Sequence, residues 1–506
     1  MTRQQRLTLV ATILGSTVVF LDSTVVNVAL PAIADGLDAG LAGQQWVVEA
    51  YLLTLVSLLL VGGSLGDQFG RRRMFVFGLV GFGATSLLCA VAPSVEFLVG
   101  ARALQGITGA LLVPGSLAIV AATFEGAARG KAVGTWTAWT GIATVFGPAG
   151  GGALIEALSW RAIFWVNLPL IVVTVALTMH SVRESRDPDA SRGIDWAGIG
   201  LSAAGLGGPV FALIEQPTHG WGDPLVWAPM AIGIACFALF VLHEARARHP
   251  MLDLALFRIR NFWVANLTTL TAYAGLIAGL FFVGLFLQQV AGYSALEAGL
   301  ATTPISLILF ILSPRFGRIA SGTGPRLPMS LGPVVGGIGL ILLLRVGSDP
   351  SYLGDVFPAL VVFGLGLSAT VAPLTATVLD SVEERHVGIA SGVNNGISRV
   401  AGLLAIAVLG AVISAKFGSI AGADIDAGPL TAQAPDASTA AFHLGILIAG
   451  LLMIAGGIVA GLGIVNPDRR FETVPAGGAA SAGECGHGAD ADCAQQPEQA
   501  PPVEAV

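Results

Sequence analysis

Long oily runs alternate with short polar ones along this chain, and the oily runs are unbroken. Fourteen stretches of mainly apolar residues follow one another, near 8–33, 45–63, 74–92, 98–121, 133–155, 162–180, 195–214, 225–242, 262–287, 296–314, 328–345, 354–379, 394–415 and 441–465. About twenty such residues, wound as a helix, span a hydrocarbon layer roughly 30 Å thick. The strands of a membrane barrel would instead alternate apolar and polar residues over about ten positions. The pattern therefore predicts an all-α polytopic membrane protein with fourteen transmembrane helices.

Composition agrees. Of 506 residues, 54% are hydrophobic and only 11% charged, under half the charged share usual in a soluble domain. Loops rich in Lys and Arg stay on the cytoplasmic side of a membrane. An even number of spans puts both termini on one side, and that side collects 21 of the 25 Lys and Arg residues, Arg399 among them, leaving Arg102, Arg161, Arg345 and Lys416. Both termini are thus expected in the cytoplasm, with the chain in the cell membrane. The first run is too long for a cleavable signal core, holds Asp22 and lacks a small-residue cleavage pattern, so it is expected to remain as a helix.

Other chemistry is mostly excluded. Cys89 and Cys236 lie within spans, and Cys485 and Cys493 lie in a tail assigned to the reducing cytoplasm, so no disulfide is expected. Cys485, His487 and Cys493 match no zinc spacing and lack a fourth ligand, so no metal is expected. There is no nucleotide-binding P-loop, and no soluble segment is long enough for an enzyme domain. The expectation is a monomer without cofactor, catalytic residue or nucleic-acid partner, whose partners are the lipid bilayer, protons and a lipophilic small molecule.

An internal echo organises the chain. Gly63, Asp67, Gly70 and Arg72 in "GSLGDQFGRRR" recur as Gly317, Ser321, Gly324 and Arg326 in "GRIASGTGPRL", each pair 254 residues apart. Both copies follow one apolar span and precede another, the mark of parallel repeats in a transporter. The simplest parse is a six-helix bundle over 1–190, two inserted helices over 191–248, a second six-helix bundle over 249–466, and a tail over 467–506. That tail is rich in Pro, Gly and acids and is expected to be disordered.

Certain residues break the apolar rule inside the spans. Asp22, in "LDSTVVNVALPAI", sits within the first, where an ionised carboxylate at helix centre costs roughly 2.5–3.5 kcal/mol on insertion scales, which function usually justifies. In "RALQGITGALLVPG", Arg102, Gln105, Gly106 and Gly109 fall at i, i+3, i+4 and i+7, one face of the fourth helix. "GTWTAWTGIATVFGPAGGG" carries Gly134, Gly147, Pro148, Gly151 and Gly152; glycines so spaced let helix backbones approach closely, and a proline bends the helix. Asn27, Gln105, Glu49 and Glu215 are candidate polar residues of a cavity, the two acids standing near outward span ends where they meet a cation or reach water.

Together these segments resemble the major facilitator superfamily, and within it the fourteen-helix drug:proton antiporter family, over residues 8 to 465. "GGSLGDQFGRRR" is similar to the superfamily's loop between its second and third helices. The resemblance implies a cytoplasmic gate made by Gly63, Asp67, Gly70, Arg71 and Arg72, with Asp67 and Arg71 as a latch that holds when that side is shut. Gln68 departs from the pattern, which usually has a basic residue there. Asp22 matches the family's first-helix aspartate, associated with proton coupling, and Arg102 its buried arginine. An ion pair of purely structural value between the two is the plainer alternative. The glycines and Pro148 resemble the antiporter signature of the fifth helix, with Ala143 where Gly is usual, and imply a hinge between the halves. "WRAIFWVNLPL" at 160–170 and "VGIASGVNNGISRVAG" at 387–402 match the family in order without an assigned role. The implied function is export of lipophilic drugs or antibiotics against entering protons, by alternating access. A transporter dedicated to one endogenous metabolite, or a non-transporting receptor or scaffold, stays open as an alternative.

Overall fold

The computed structural model describes residues 1–124, 126–186, 195–247, 254–383, 387–421 and 429–466, and these form helices joined by short loops. The predicted tail at 467–506 lies outside the described residues. Twelve helices among those described are long and apolar enough to cross a membrane, thirteen if a bent pair, Leu41–Leu59 with Val61–Phe69, counts as one span. This count, made among the described residues, does not confirm the expected fourteen. The second span bends by 51°. Over the predicted 133–155 span stands a 32-residue helix, Gly126–Ala157, outside that tally.

The elements in chain order are α1 (Arg3–Leu37), α2 (Leu41–Phe69), α3 (Arg71–Ala90), α4 (Val95–Gly109), α5 (Leu112–Thr123), α6 (Gly126–Ala157), α7 (Ala162–Trp165) and α8 (Asn167–Ser181). Then come α9 (Trp196–His219) and α10 (Pro224–Glu244). The last set is α11 (Arg260–Gln289), α12 (Ala295–Thr323), α13 (Arg326–Leu342), α14 (Phe357–Asp380), α15 (Val387–Ala421) and α16 (Pro435–Gly463). Inside lipid no water can serve the backbone, so helices that satisfy their own N–H and C=O groups are the stable form. Their ends are capped where they meet water. Thr2 with Gln5, and Ser294 with Glu297, form capping boxes at the starts of α1 and α12.

Core packing differs between the two ends of the bundle. At the end away from the chain termini, one apolar cluster joins both sets of helices: Val26, Leu30, Val47 and Phe164 pack with Phe282, Phe286, Leu409 and Phe442. At the terminal end the clusters are separate, one around Phe75, Leu79 and Phe82 in the first set and another around Phe262, Met329 and Leu374 in the last. Hydrogen bonds between the sets also lie at the far end. Gln45 donates to the Ile406 carbonyl at 2.9 Å, Gln289 to Gln44 at 3.2 Å, and the Leu296 amide to Glu156 at 3.1 Å. The halves are zipped together at the far end.

The α9–α10 hairpin packs along one side of this seam. Leu206, Val210 and Ile214 of α9 touch Leu403 and Ala407 of α15 as well as Trp46 and Leu53 of α2. Much of α10, including Trp227, Ile234 and Leu242, is exposed, as expected of a helix whose outer surface meets lipid.

Candidate functional site

The two halves of the sequence echo form the same turn. Gly70 ends α2 at φ 111° and Gly324 ends α12 at φ 91°, a region that side chains disfavour. Beyond each glycine a backbone amide is captured by a residue that follows the last helix of its set. Arg72 N–H donates to Glu184 at 3.0 Å, and Arg326 N–H to Asn466 at 3.0 Å. Asp67 and Arg71 do pair, at 2.7 Å, but one helical turn apart on the same segment. The partner that the sequence reading missed is Glu184, which also lies 3.9 Å from Arg72 and 3.8 Å from Arg73. Its only signal was an acid in "VRESR", close in sequence to further arginines.

The glycine helix α6 lies between α1 and α12. Gly147 and Gly151 face Thr24 and Val25 of α1. On α12, Gly299 abuts Pro148, while a Cβ on Gly152 would sit 2.6 Å from the Cα of Leu296, so this crossing admits no side chain. Gly134 departs from expectation: a Cβ there would meet nothing within 4 Å. It makes no such close crossing.

Asp22 points into the first set of helices, not along the face of α1 that carries Ser23 and Asn27. It is 2% exposed. Arg102 of α4, 1% exposed, donates to its Oδ2 at 2.5 Å. Gln105 and Asn167 donate to its Oδ1 at 3.2 and 3.1 Å. Arg102 donates further to Gln105 Oε1 at 2.6 Å and to the Val47 carbonyl at 3.1 Å, and its guanidinium lies 4.2 Å from the centre of the Tyr51 ring. Ser86 closes the network by accepting from Gln105 at 2.9 Å and Asn167 at 3.3 Å. Five helices thus share a network in which three donors hold one buried carboxylate, a set of charge-assisted hydrogen bonds that changes if those helices move apart.

The remaining candidates fall differently from expectation. Gln105 is fully buried inside this network. Asn27 is half-buried, and its side-chain oxygen has no hydrogen-bond partner. Glu215 of α9 accepts a 2.9 Å hydrogen bond from the Trp46 indole, tying the inserted hairpin to α2. Glu49, expected near water, is 0% exposed, and neither of its carboxylate oxygens has a hydrogen-bond partner. It lies one helical turn along α2 from Gln45. A buried polar group without partners costs about 1–3 kcal/mol. Glu49→Met is therefore expected to raise the thermal unfolding midpoint of the purified protein, and a lowered midpoint would contradict this.

An apolar cavity of about 450 Å³ opens beside the seam, walled by Val56 of α2, Phe237 and Phe240 of α10, Trp263 of α11, and Ile397 of α15. Its volume suits a drug-sized molecule. No group of three or more potential metal ligands occurs among the described residues.

Comparison with known proteins places these features in context. A family model described as Major Facilitator Superfamily matches residues 12–406. The chain is 36% identical over 416 residues to the multidrug resistance protein Stp of Mycobacterium tuberculosis, covering 82% of this chain and 77% of Stp. It is 33% identical over 413 residues to the tetracenomycin C resistance and export protein of Streptomyces glaucescens, with the same coverage, 82% and 77%. Its fold is similar to the crystal structure of a bacterial homolog of the human lysosomal transporter Spinster, in an inward-facing and unoccupied conformation. The TM-score is 0.63 at 16% identity, covering 91% of this chain and 96% of that one.

Proposed function

We propose, because the chain belongs to the Major Facilitator Superfamily, that it is a secondary active exporter of lipophilic drugs or antibiotics from the cell. Relatives named for multidrug resistance and for tetracenomycin C resistance and export support the cargo class. It is a transporter and not an enzyme. We read it as two six-helix bundles, α1–α8 and α11–α16, with α9–α10 inserted between them and both termini in the cytoplasm. In that orientation the zipped far end faces outside, and the form described here is the one open to the cytoplasm.

One observation carries the energetic part of the reading: a carboxylate and a guanidinium buried together at membrane depth, Asp22 with Arg102. A protein gains nothing in stability from such a pair that apolar residues could not supply. It gains a titratable site. With the cytoplasmic end open, Asp22 is ionised and held by Arg102, Gln105 and Asn167. When the bundles rock and the outer end opens, α1, α4 and α8 shift relative to one another, Arg102 withdraws, and Asp22 takes a proton from outside. Return to the present form restores the ion pair and releases that proton inward. Glycine contacts of α6 with α1 and α12 supply a dry pivot for the motion. A lipophilic compound reaches the path from the bilayer through the cavity beside Trp263. One chain contains the complete site, so a monomer suffices.

The test uses purified protein in sealed vesicles with an imposed pH gradient and a lipophilic fluorescent dye. Dye should accumulate against its own gradient and leak back when an uncoupler is added. Movement indifferent to both would contradict proton-coupled export.

A further inference from the structure

Arg399 lies within the apolar run 394–415 and is the thirteenth residue of the 35-residue helix α15. It stands nine residues beyond the start of the apolar span Ala390–Ala421, ~14 Å along the helix axis at about 1.5 Å per residue. Charged side chains at such depth face a cavity or another protein group, and they mark function.

The helix has two unlike faces. Gly392, Val393, Gly396, Ile397 and Val400 line the apolar cavity beside α9 and α10. On the other side Ser391, Asn395, Ser398 and Arg399 form a polar stripe at i, i+4, i+7 and i+8. Arg399 lies seven residues before Ile406 on α15, so the two share one face of the helix. Two turns further along the same face of α15, the Ile406 carbonyl accepts from Gln45 of α2, which fixes this face as the one that meets the opposite bundle.

What distinguishes Arg399 is the lack of an acid. It is half-buried and makes no ion pair or hydrogen bond among the described residues. Of the acids near the seam two are engaged, and the third, Glu49 of α2, has no hydrogen-bond partner and makes no ion pair with Arg399 among the described residues. Asp22 holds Arg102, Gln105 and Asn167, and Glu215 accepts from Trp46. Arg102, by contrast, has Asp22, Gln105 and the Val47 carbonyl as acceptors. A second guanidinium of the same seam thus has its fork of donors free in a poorly solvated setting, where a planar anion meets its geometry in two parallel hydrogen bonds.

We propose that Arg399 is a binding site for the acidic group of an exported lipophilic acid, a carboxylate or sulfonate whose apolar body lies in the seam between the bundles. The assignment rests on the export reading and narrows its substrate class. It makes this transporter selective for amphipathic anions over neutral analogues of equal bulk.

The experiment measures binding to purified full-length protein, with no gradient present, using dansyl-aminoundecanoic acid and its methyl ester. Wild type should bind the acid at least tenfold more tightly than the ester, the scale of a hydrogen bond to a charged group. Arg399→Gln should erase that difference by weakening the acid alone, and Arg399→Lys, which keeps the charge without the fork, should retain part of it. Because Arg399 has no protein partner among the described residues, Arg399→Gln should also fold with an undiminished unfolding midpoint. Equal binding of acid and ester by wild type, equal weakening of both by Arg399→Gln, or a variant that fails to fold would each overturn the proposal. A wild type that binds the acid selectively but never moves it in vesicles would instead sink the export reading and leave the site standing.

Discussion

Asp22→Asn protein is expected to let dye equilibrate across a vesicle membrane but never to accumulate it. A proton crossing 100 mV releases about 2.3 kcal/mol, enough at one-to-one exchange to hold roughly a fifty-fold concentration ratio. An amide of the same shape binds no exchangeable proton in that range, so the ratio should fall to about one. The rocking itself requires only that the pocket be filled, and the asparagine fills it while still accepting from Gln105 or Asn167. Downhill equilibration within a few-fold of wild type separates lost coupling from lost folding. Full accumulation by the variant would return Asp22 and Arg102 to the plainer role of a structural ion pair.

Arg102→Met should produce the largest loss of stability of any single change in the first bundle. Removing one partner of a buried ion pair typically costs about 3–5 kcal/mol, because the other is left charged and dry. Asp22 would keep only Gln105 and Asn167, and the Val47 carbonyl would lose its donor. The double variant Asp22→Asn, Arg102→Met has no orphan charge, and its unfolding midpoint is expected to lie above that of Arg102→Met alone. Additive losses, with the double variant the least stable, would mean that the pair is not coupled as its geometry requires.

These expectations began in the sequence, which made some parts of the site legible and hid others for definable reasons. Unbroken apolar runs located the helices because lipid demands a length that can be counted. Arg102 and Gln105 stood out as a pair because they share one face of one helix. Asn167 and Ser86, which complete the cage around Asp22, did not, since Asn167 lies 145 positions away and no spacing rule links residues on different helices. Arg399 was assigned to the cytoplasmic side by a charge count, although the apolar run 394–415 already held it, because counting sorts arginines by side and not by depth. Glu49 looked like a span-end acid, and its full burial is a tertiary outcome that spacing along one helix does not reveal. The gate loop was recognisable by its glycine and arginines, but its anchor, Glu184, is a tertiary contact 112 positions distant from Arg72.

Coupled flux decides the central claim. Sealed vesicles containing the wild-type protein and a trapped pH indicator, with no pH difference imposed, are given a dye gradient alone. Downhill dye movement should drive protons the opposite way and shift the indicator, and Asp22→Asn protein should move dye with the indicator unchanged. Dye flux through wild-type protein with no proton counterflow above the leak of empty vesicles would contradict the mechanism.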